Sequence, residues 1–293
     1  MKAVNWFREH VILFVGILVV AYMLIPIAVI ALFSFNDPAG KFNFTWQGFT
    51  LDHWTGAFDI PELNDAMLTS LELAALSTII ATVLGTMIAI ALVRHQFLGR
   101  RAANLLIVIP ITSPEVVLGA ALLSMFVYFK IDTGFMTLLV AHVMFSISFV
   151  VIVVRSRLIG FDRRLEEAAR DLGADSRTTL RTVTLPLLAP GLGAAAFLAF
   201  ALSLDDFVIS NFNSGETVTF PLYIFGAAQR GIPVEVNVLA TMLFLVTVIA
   251  MGFTVWQQRR AEKLAAVRPS DDDVELTPLA PGGGAATKPS TAS

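Results

Sequence analysis

The chain has 293 residues, 56% hydrophobic and only 15% charged, and its mean hydropathy is +0.75. Soluble domains carry about 25% charge, so this composition excludes an ordinary soluble protein and points to a chain solvated by lipid. There is no cysteine, which removes disulfides and thiolate metal sites, and the net charge of −3 means little because the signs are sorted along the chain.

Six apolar stretches, at about 11–33, 67–93, 103–129, 135–154, 190–212 and 236–257, match the ~20 residues that a bilayer span requires. The first follows Lys2 and Arg8. Its apolar core, Val11 to Phe33, exceeds the ~7–15 residues of a signal peptide and lacks an A-x-A cleavage pattern, so it reads as a retained helix. The segment from Ser34 to Ala66 places Trp46, Trp54, Phe42, Phe44, Phe49 and Phe58 among turn formers such as Asn36-Asp37-Pro38. That composition predicts a segment folded onto the membrane surface, as an aromatic belt or as a docking surface for an external partner. Gly85 with Ala89, and Gly191, Gly193 and Ala194 to Ala196, are small residues at spacings that let helices approach closely. Pro110 and Pro114 predict a break in the third span, and Lys130 to Gly134 form a tight connection.

The basic residues set the orientation. With the N-terminus inside, the inner segments hold Lys2 and Arg8, Arg94 to Arg101, the seven Arg from Arg155 to Arg181, and the five basic residues from Arg259 on. That places 17 of the 20 Lys and Arg on one side and leaves Lys41, Lys130 and Arg230 on the other. Both termini are therefore expected in the cytoplasm. From Pro269 the chain turns polar and low in complexity, and the tail over 261–293 is expected to be disordered.

The inner connection at about 155–189 is patterned. Phe161, Leu165, Ala168 and Leu172 fall at helical spacing, with Asp162 a candidate N-cap and Gly173 a left-handed stop. Ser176 is placed to cap a second short helix running to Leu185, with Pro186 and Pro190 marking the turn back into the membrane. The residues read Glu167-Ala168-Ala169, three residues, Gly173, nine residues, Val183, one residue, Leu185-Pro186. This resembles the EAA loop of permeases in ATP-binding-cassette importers, full in spacing, with Val183 where Ile is usual. The resemblance implies that Glu167, Ala168, Ala169, Gly173, Leu185 and Pro186 couple this chain to an ATPase. A partnerless interfacial helix is the plainer alternative, but such helices favour Lys and Arg beside bulky apolar anchors.

Charge inside a span costs ~2.5–3.5 kcal/mol per residue on insertion scales, so intramembrane acids are functional hints. Glu115 lies about 13 residues into the third span, about 20 Å along a straight helix. Asp205 and Asp206 lie about 15 residues into the fifth, at similar depth. No Lys or Arg sits inside a span. The counter-charge then comes from a partner helix, from protonation, or from a cation in transit. His142 reads as a helix-packing residue. No G-x4-G-K-[ST], H-E-x-x-H or nucleophile elbow occurs, so the chain is expected to be non-catalytic.

Leu202 to Ile209, Pro233 to Thr241, Ser34-Phe35-Asn36, Trp46-Gln47-Gly48-Phe49 and Ser113-Pro114-Glu115 together resemble the spermidine/putrescine permeases, over about residues 20 to 260. Glu115 stands where an Asp is common, and the acid-rich tail departs from the family. The resemblance implies an all-α integral membrane protein of the type I importer permease (MetI-like) fold, with six transmembrane helices, in a bacterial inner membrane. The span acids picked out above, Glu115, Asp205 and Asp206, are expected to form a substrate path with Trp46 and Trp54, in agreement with a polycationic substrate. No cofactor is expected in this chain, ATP and Mg being held by the ATPase. The implied partners are a sister permease, two ATPase copies, an external polyamine-binding protein and lipid, with no nucleic acid. A permease for another cationic or small solute is the alternative, and a stand-alone secondary transporter lacks a visible inverted repeat.

Overall fold

The computed structural model describes residues 2–267. Of the tail over 261–293 read above as disordered, residues 261–267 are instead helical, continuing the helix that starts at Val234. The rest, from Arg268 onward, lies outside the described residues. Twelve helices are assigned among the described residues, beside one isolated bridge between Asn36 and Phe49. They are α1 (Lys2–Phe33), α2 (Asp52–Thr55), α3 (Pro61–Arg94), α4 (Arg100–Thr112), α5 (Glu115–Tyr128), α6 (Phe135–Ile159), α7 (Arg164–Asp171), α8 (Ser176–Thr179), α9 (Leu185–Leu204), α10 (Val208–Asn213), α11 (Phe220–Arg230) and α12 (Val234–Val267).

Four helical stretches are long and apolar enough to cross a membrane: His10–Phe33, α3, α6 and Ser176–Leu204. The bent pair α4–α5 makes a fifth if it is one span, and α12 contributes a shorter apolar stretch, Val234–Ile249. The expected count of six is therefore not reached by length and composition among the described residues.

The centre of the bundle is α3, α6 and α9, and small residues set its spacing. Ala81, Ala89, Val150, Val154, Ala195 and Ala199 are buried against one another with Leu92, Leu158 and Leu188. A methyl group at Gly85 would lie 2.6 Å from Val150 Cγ1, so only glycine lets α3 and α6 approach this closely. Leu122 and Phe126 of α5 pack with Ala141, Phe145 and Ile209 in a second cluster. In contrast, the apolar window of α1 is wholly unburied within the chain.

Two expectations are corrected by the backbone. Pro110 lies inside α4 without breaking it, and the expected break in the third span falls at the second proline, at Ser113-Pro114, where both residues are extended (ψ 140° and 134°). A proline pushes its predecessor out of the helical region, and two extended residues in succession turn α5 by 113° from α4. The estimated depth of Glu115 assumed a straight helix and does not carry past this bend. Nor do Pro186 and Pro190 turn the chain back into the membrane. Helix continues from Ser176 to Leu204. It passes Pro186, which has no N–H to give, through a π-helical turn over Leu180–Thr184 in which the Leu185 N–H donates to the Leu180 carbonyl.

The segment after α1 folds around Asn36, which is fully buried. Its amide donates to Asn43 Oδ1 (2.7 Å) and the Thr45 carbonyl (2.8 Å), and its carbonyl oxygen accepts from the Gln47 N–H at 2.8 Å. Phe35 stacks on Phe49 and Trp54 at 5.6 and 5.1 Å. The described residues from Met242 on form a separate unit, where the Arg260 guanidinium lies 5.5 Å from the Trp256 ring.

Candidate functional site

The loop after α6 forms the expected helix, glycine turn and helix. Asp162 Oδ1 accepts the Arg164 N–H at 3.0 Å just ahead of α7. Gly173 has φ +89°, a left-handed stop with open space around it, so glycine is required there by backbone conformation rather than by crowding. The second helix is capped by Asp175, not Ser176: Asp175 Oδ1 accepts the Thr178 N–H at 2.8 Å. The Thr178 side chain and then this N–H, both bonding the carboxylate, hold the Asp175 carboxyl below its ordinary value.

The buried face of α7 is not the apolar stripe. Leu165 and Ala168 are exposed and Leu172 is 90% exposed. The residue turned inward is Glu166, 7% exposed. Its Oε1 accepts from Arg94 at 3.1 Å and from the Thr184 hydroxyl at 3.0 Å. Arg94 also lies 5.8 Å from the Phe161 ring. Sequence reading missed Glu166 because Arg94 is 72 positions away. Glu167, Ala168 and Gly173 stay exposed, Ala169 is half-buried, and Leu185 and Pro186 open α9.

The second region is the break in the fifth span. Helix stops at Leu204 and resumes at Val208, leaving Asp205 to Phe207 between. Acidic side chains that can bond nearby N–H groups compete with helix continuation, and Asp206 does so. Its Oδ1 accepts from the Ile209 N–H (3.2 Å) and its Oδ2 from the Ser210 N–H (2.8 Å), in the first turn of α10. His142 Nε2 stands 3.5 Å from Asp206 Oδ2. Asp206 therefore has a polar partner in its own chain that a search for Lys and Arg passes over, an imidazole on another helix.

Ser203 lies just before this break, and its hydroxyl meets Ser77 at 2.9 Å, midway along α3. Asp205 and Glu115 are both exposed. Glu115 opens α5 directly after the Ser113-Pro114 break. Glu115 and Asp205 thus each stand exposed at a helix break, while Asp206 is buried. Trp46 and Trp54 belong to a different place, the aromatic segment after α1, where Trp46 packs edge-on against Phe33 at 6.4 Å.

Helix α11 was not foreseen, although Pro221 at its first turn is a start signal. The Ser70 hydroxyl accepts the Phe220 N–H at 2.8 Å and ties α11 to α3. A cleft of about 870 Å³ opens beside them, lined by Glu62, Asp65, Thr69, Glu216, Tyr223 and Arg230. Burial, with Glu62 nearby, pushes the Tyr223 hydroxyl above its ordinary value.

Residues 81–263, more than half of the chain, match the family described as "Binding-protein-dependent transport system inner membrane component". The chain is 37% identical over 244 residues to the "Spermidine/putrescine transport system permease protein PotC" of Haemophilus influenzae, covering 83% of this chain and 93% of that one. It is also 37% identical over 257 residues to the "Putrescine transport system permease protein PotI" of Escherichia coli (strain K12), covering 83% and 88%. Among solved structures, one of a bacterial ABC transporter involved in the import of the acidic polysaccharide alginate superposes with a TM-score of 0.62 over 88% of this chain and 98% of the other. At 16% identity that likeness shows the fold alone.

Proposed function

Because the chain belongs to the family of binding-protein-dependent transport system inner membrane components, we propose that it forms half of a path for polyamines, driven by ATP hydrolysed on other chains. The chain is a multi-pass permease subunit of the inner membrane. The observation that carries the substrate class is the pair of exposed carboxylates, Glu115 and Asp205, standing at two helix breaks. No Lys or Arg occurs from 102 to 129 or from 182 to 229 to neutralise them. A linear polycation that sheds water in the membrane needs oxygens to replace its hydration, few enough that it can leave again. Relatives named for spermidine and putrescine transport support the same class. Trp46 and Trp54 would offer aromatic faces to a cation on its approach.

Coupling is assigned to α7. Exposed Leu165, Ala168 and Leu172 leave an apolar face without a partner among the described residues, beside the exposed charge of Glu167. An ATPase cleft would cover that face, and ATP with its Mg would be bound there, since the chain has no P-loop sequence. The full assembly is this chain, a sister permease, two ATPases and an external polyamine-binding protein, with both termini of this chain in the cytoplasm. The test is reconstitution of that assembly in proteoliposomes with labelled spermidine and putrescine. ATP-dependent uptake that unlabelled polyamine competes away is the expected result. Assembled, ATP-hydrolysing transporter that takes up neither would overturn the substrate class.

A further inference from the structure

Asp205 and Asp206 are neighbours, yet only one of them is presented to the exposed side. What separates their surroundings is His142. Its ring is 2% exposed, with Nδ1 2.8 Å from the Ser203 hydroxyl and Nε2 3.0 Å from the Ser210 hydroxyl and 3.5 Å from Asp206 Oδ2. Ser203 is the last residue but one of α9, and Ser210 lies in the first turn of α10. One imidazole on α6 therefore grips the chain on both sides of the break. A neutral imidazole has one donor and one acceptor nitrogen, and both are engaged here. Ser203 is itself held by Ser77 of α3, so the grip is anchored to two packed helices. The far end of α10 is fixed as well, by the Thr137 hydroxyl donating to the Asn213 carbonyl at 3.1 Å. With both ends held, the turn at 205–207 cannot rotate freely, and which aspartate faces outward is settled.

We propose that His142 is the positioning residue of this break: by bridging Ser203, Ser210 and Asp206, it keeps Asp206 inward and presents Asp205, with Glu115, to the substrate. The inference deepens the polyamine reading above and rests on it. It gives the two aspartates different work, since Asp206 holds the break open and Asp205 meets the cation. His142 itself never touches substrate.

The test uses the complete reconstituted transporter carrying His142→Leu, which keeps bulk and removes both nitrogens, and His142→Gln, which keeps an amide donor and acceptor. Per assembled complex, His142→Leu raises the half-saturating spermidine concentration about tenfold, the scale of one lost hydrogen bond to a charged group. His142→Gln restores most of it. Adding Asp206→Asn to His142→Leu brings no further loss, because the two act as a unit.

The chain has no cysteine, so Asp205→Cys gives one reporter thiol for a cationic methanethiosulfonate. Its labelling is fast in the parent and markedly slower with His142→Leu. A purely structural role would lower only the amount of complex, leaving half-saturation and labelling of the remainder unchanged, and that result overturns the inference. If His142→Leu does not assemble, His142→Asn, too short to span both serines, takes its place under the same criteria. If the parent transports no polyamine, the substrate reading fails alone, and the labelling rates still decide whether His142 sets the exposure of position 205.

Discussion

Two acidic doublets, Glu166-Glu167 in the loop after α6 and Asp205-Asp206 at the break in the fifth span, are split by the fold in the same way. In each, one carboxylate is turned inward and bonded, while its neighbour stays exposed. Their inward partners differ. Glu166 meets a permanent cation, Arg94, and a threonine hydroxyl. Asp206 meets two backbone N–H groups and an imidazole. The loop lies at the end of α3, where the buried Glu166 carboxylate is balanced by a full ion pair with Arg94. The break lies beside the middle of α3, where a permanent charge costs more, and dipoles with a group able to stay neutral take its place. A doublet that reads as one feature in sequence thus divides into an architectural residue and a presented one.

Removing one inward partner tests that contrast most severely. Glu166→Ala or Arg94→Ala leaves an uncompensated buried charge, and the assembled protein should lose about 3 kcal/mol of stability. Thermal unfolding in detergent measures this, and the swap Arg94→Glu with Glu166→Arg should recover part of it. Asp206→Asn, which still offers one oxygen to the α10 N–H groups, should cost only about 1 kcal/mol. Equal losses at the two sites would erase the distinction between them.

The outward members should fail in function rather than stability. Glu167→Lys and Gly173→Asp should reach the membrane in normal amounts and abolish uptake while ATP hydrolysis by the complex persists. Wild-type transport in both variants would remove α7 from coupling. Substitution at Gly173 should be graded by backbone rather than size, with Asn tolerated better than Val, because the space is open but φ is +89°. Glu115→Gln and Asp205→Asn should each raise the half-saturating polyamine concentration several-fold with assembly intact; unchanged kinetics in both would leave these carboxylates without a substrate role.

The smallest effect belongs to Asp175, whose carboxyl is held below its ordinary value by bonds from the Thr178 side chain and N–H. A depressed carboxylate stabilises above its unfolded pKa, and that contribution disappears as pH falls through the folded one. Asp175→Ala should therefore loosen the α8 amides in hydrogen exchange at neutral pH, Asp175→Asn should loosen them less, and neither difference should vary above about pH 5. A change between pH 6 and 8 would point to a different titrating group.

The sequence by itself determined whatever depends on neighbours in the chain. Apolar runs announce helices that lipid can solvate. The EAA spacing marks the loop, and Gly173 stands where a helix must stop with positive φ. Pro114 forces Ser113 extended, so a break was legible, though not that it would reach 113°. Tertiary structure alone decided the rest, because it depends on which helices pack together. Pro186 looks like a helix end until a π turn carries the chain past it. Glu166 and Glu167 are indistinguishable until α7 lies beside Arg94, 72 residues back. Likewise, Asp205 and Asp206 part only when α6 brings His142 to the break, 61 residues from Ser203. Local backbone rules act within one turn of helix and can be read from spacing; the inward or outward choice of a buried charge is made by partners that packing alone supplies.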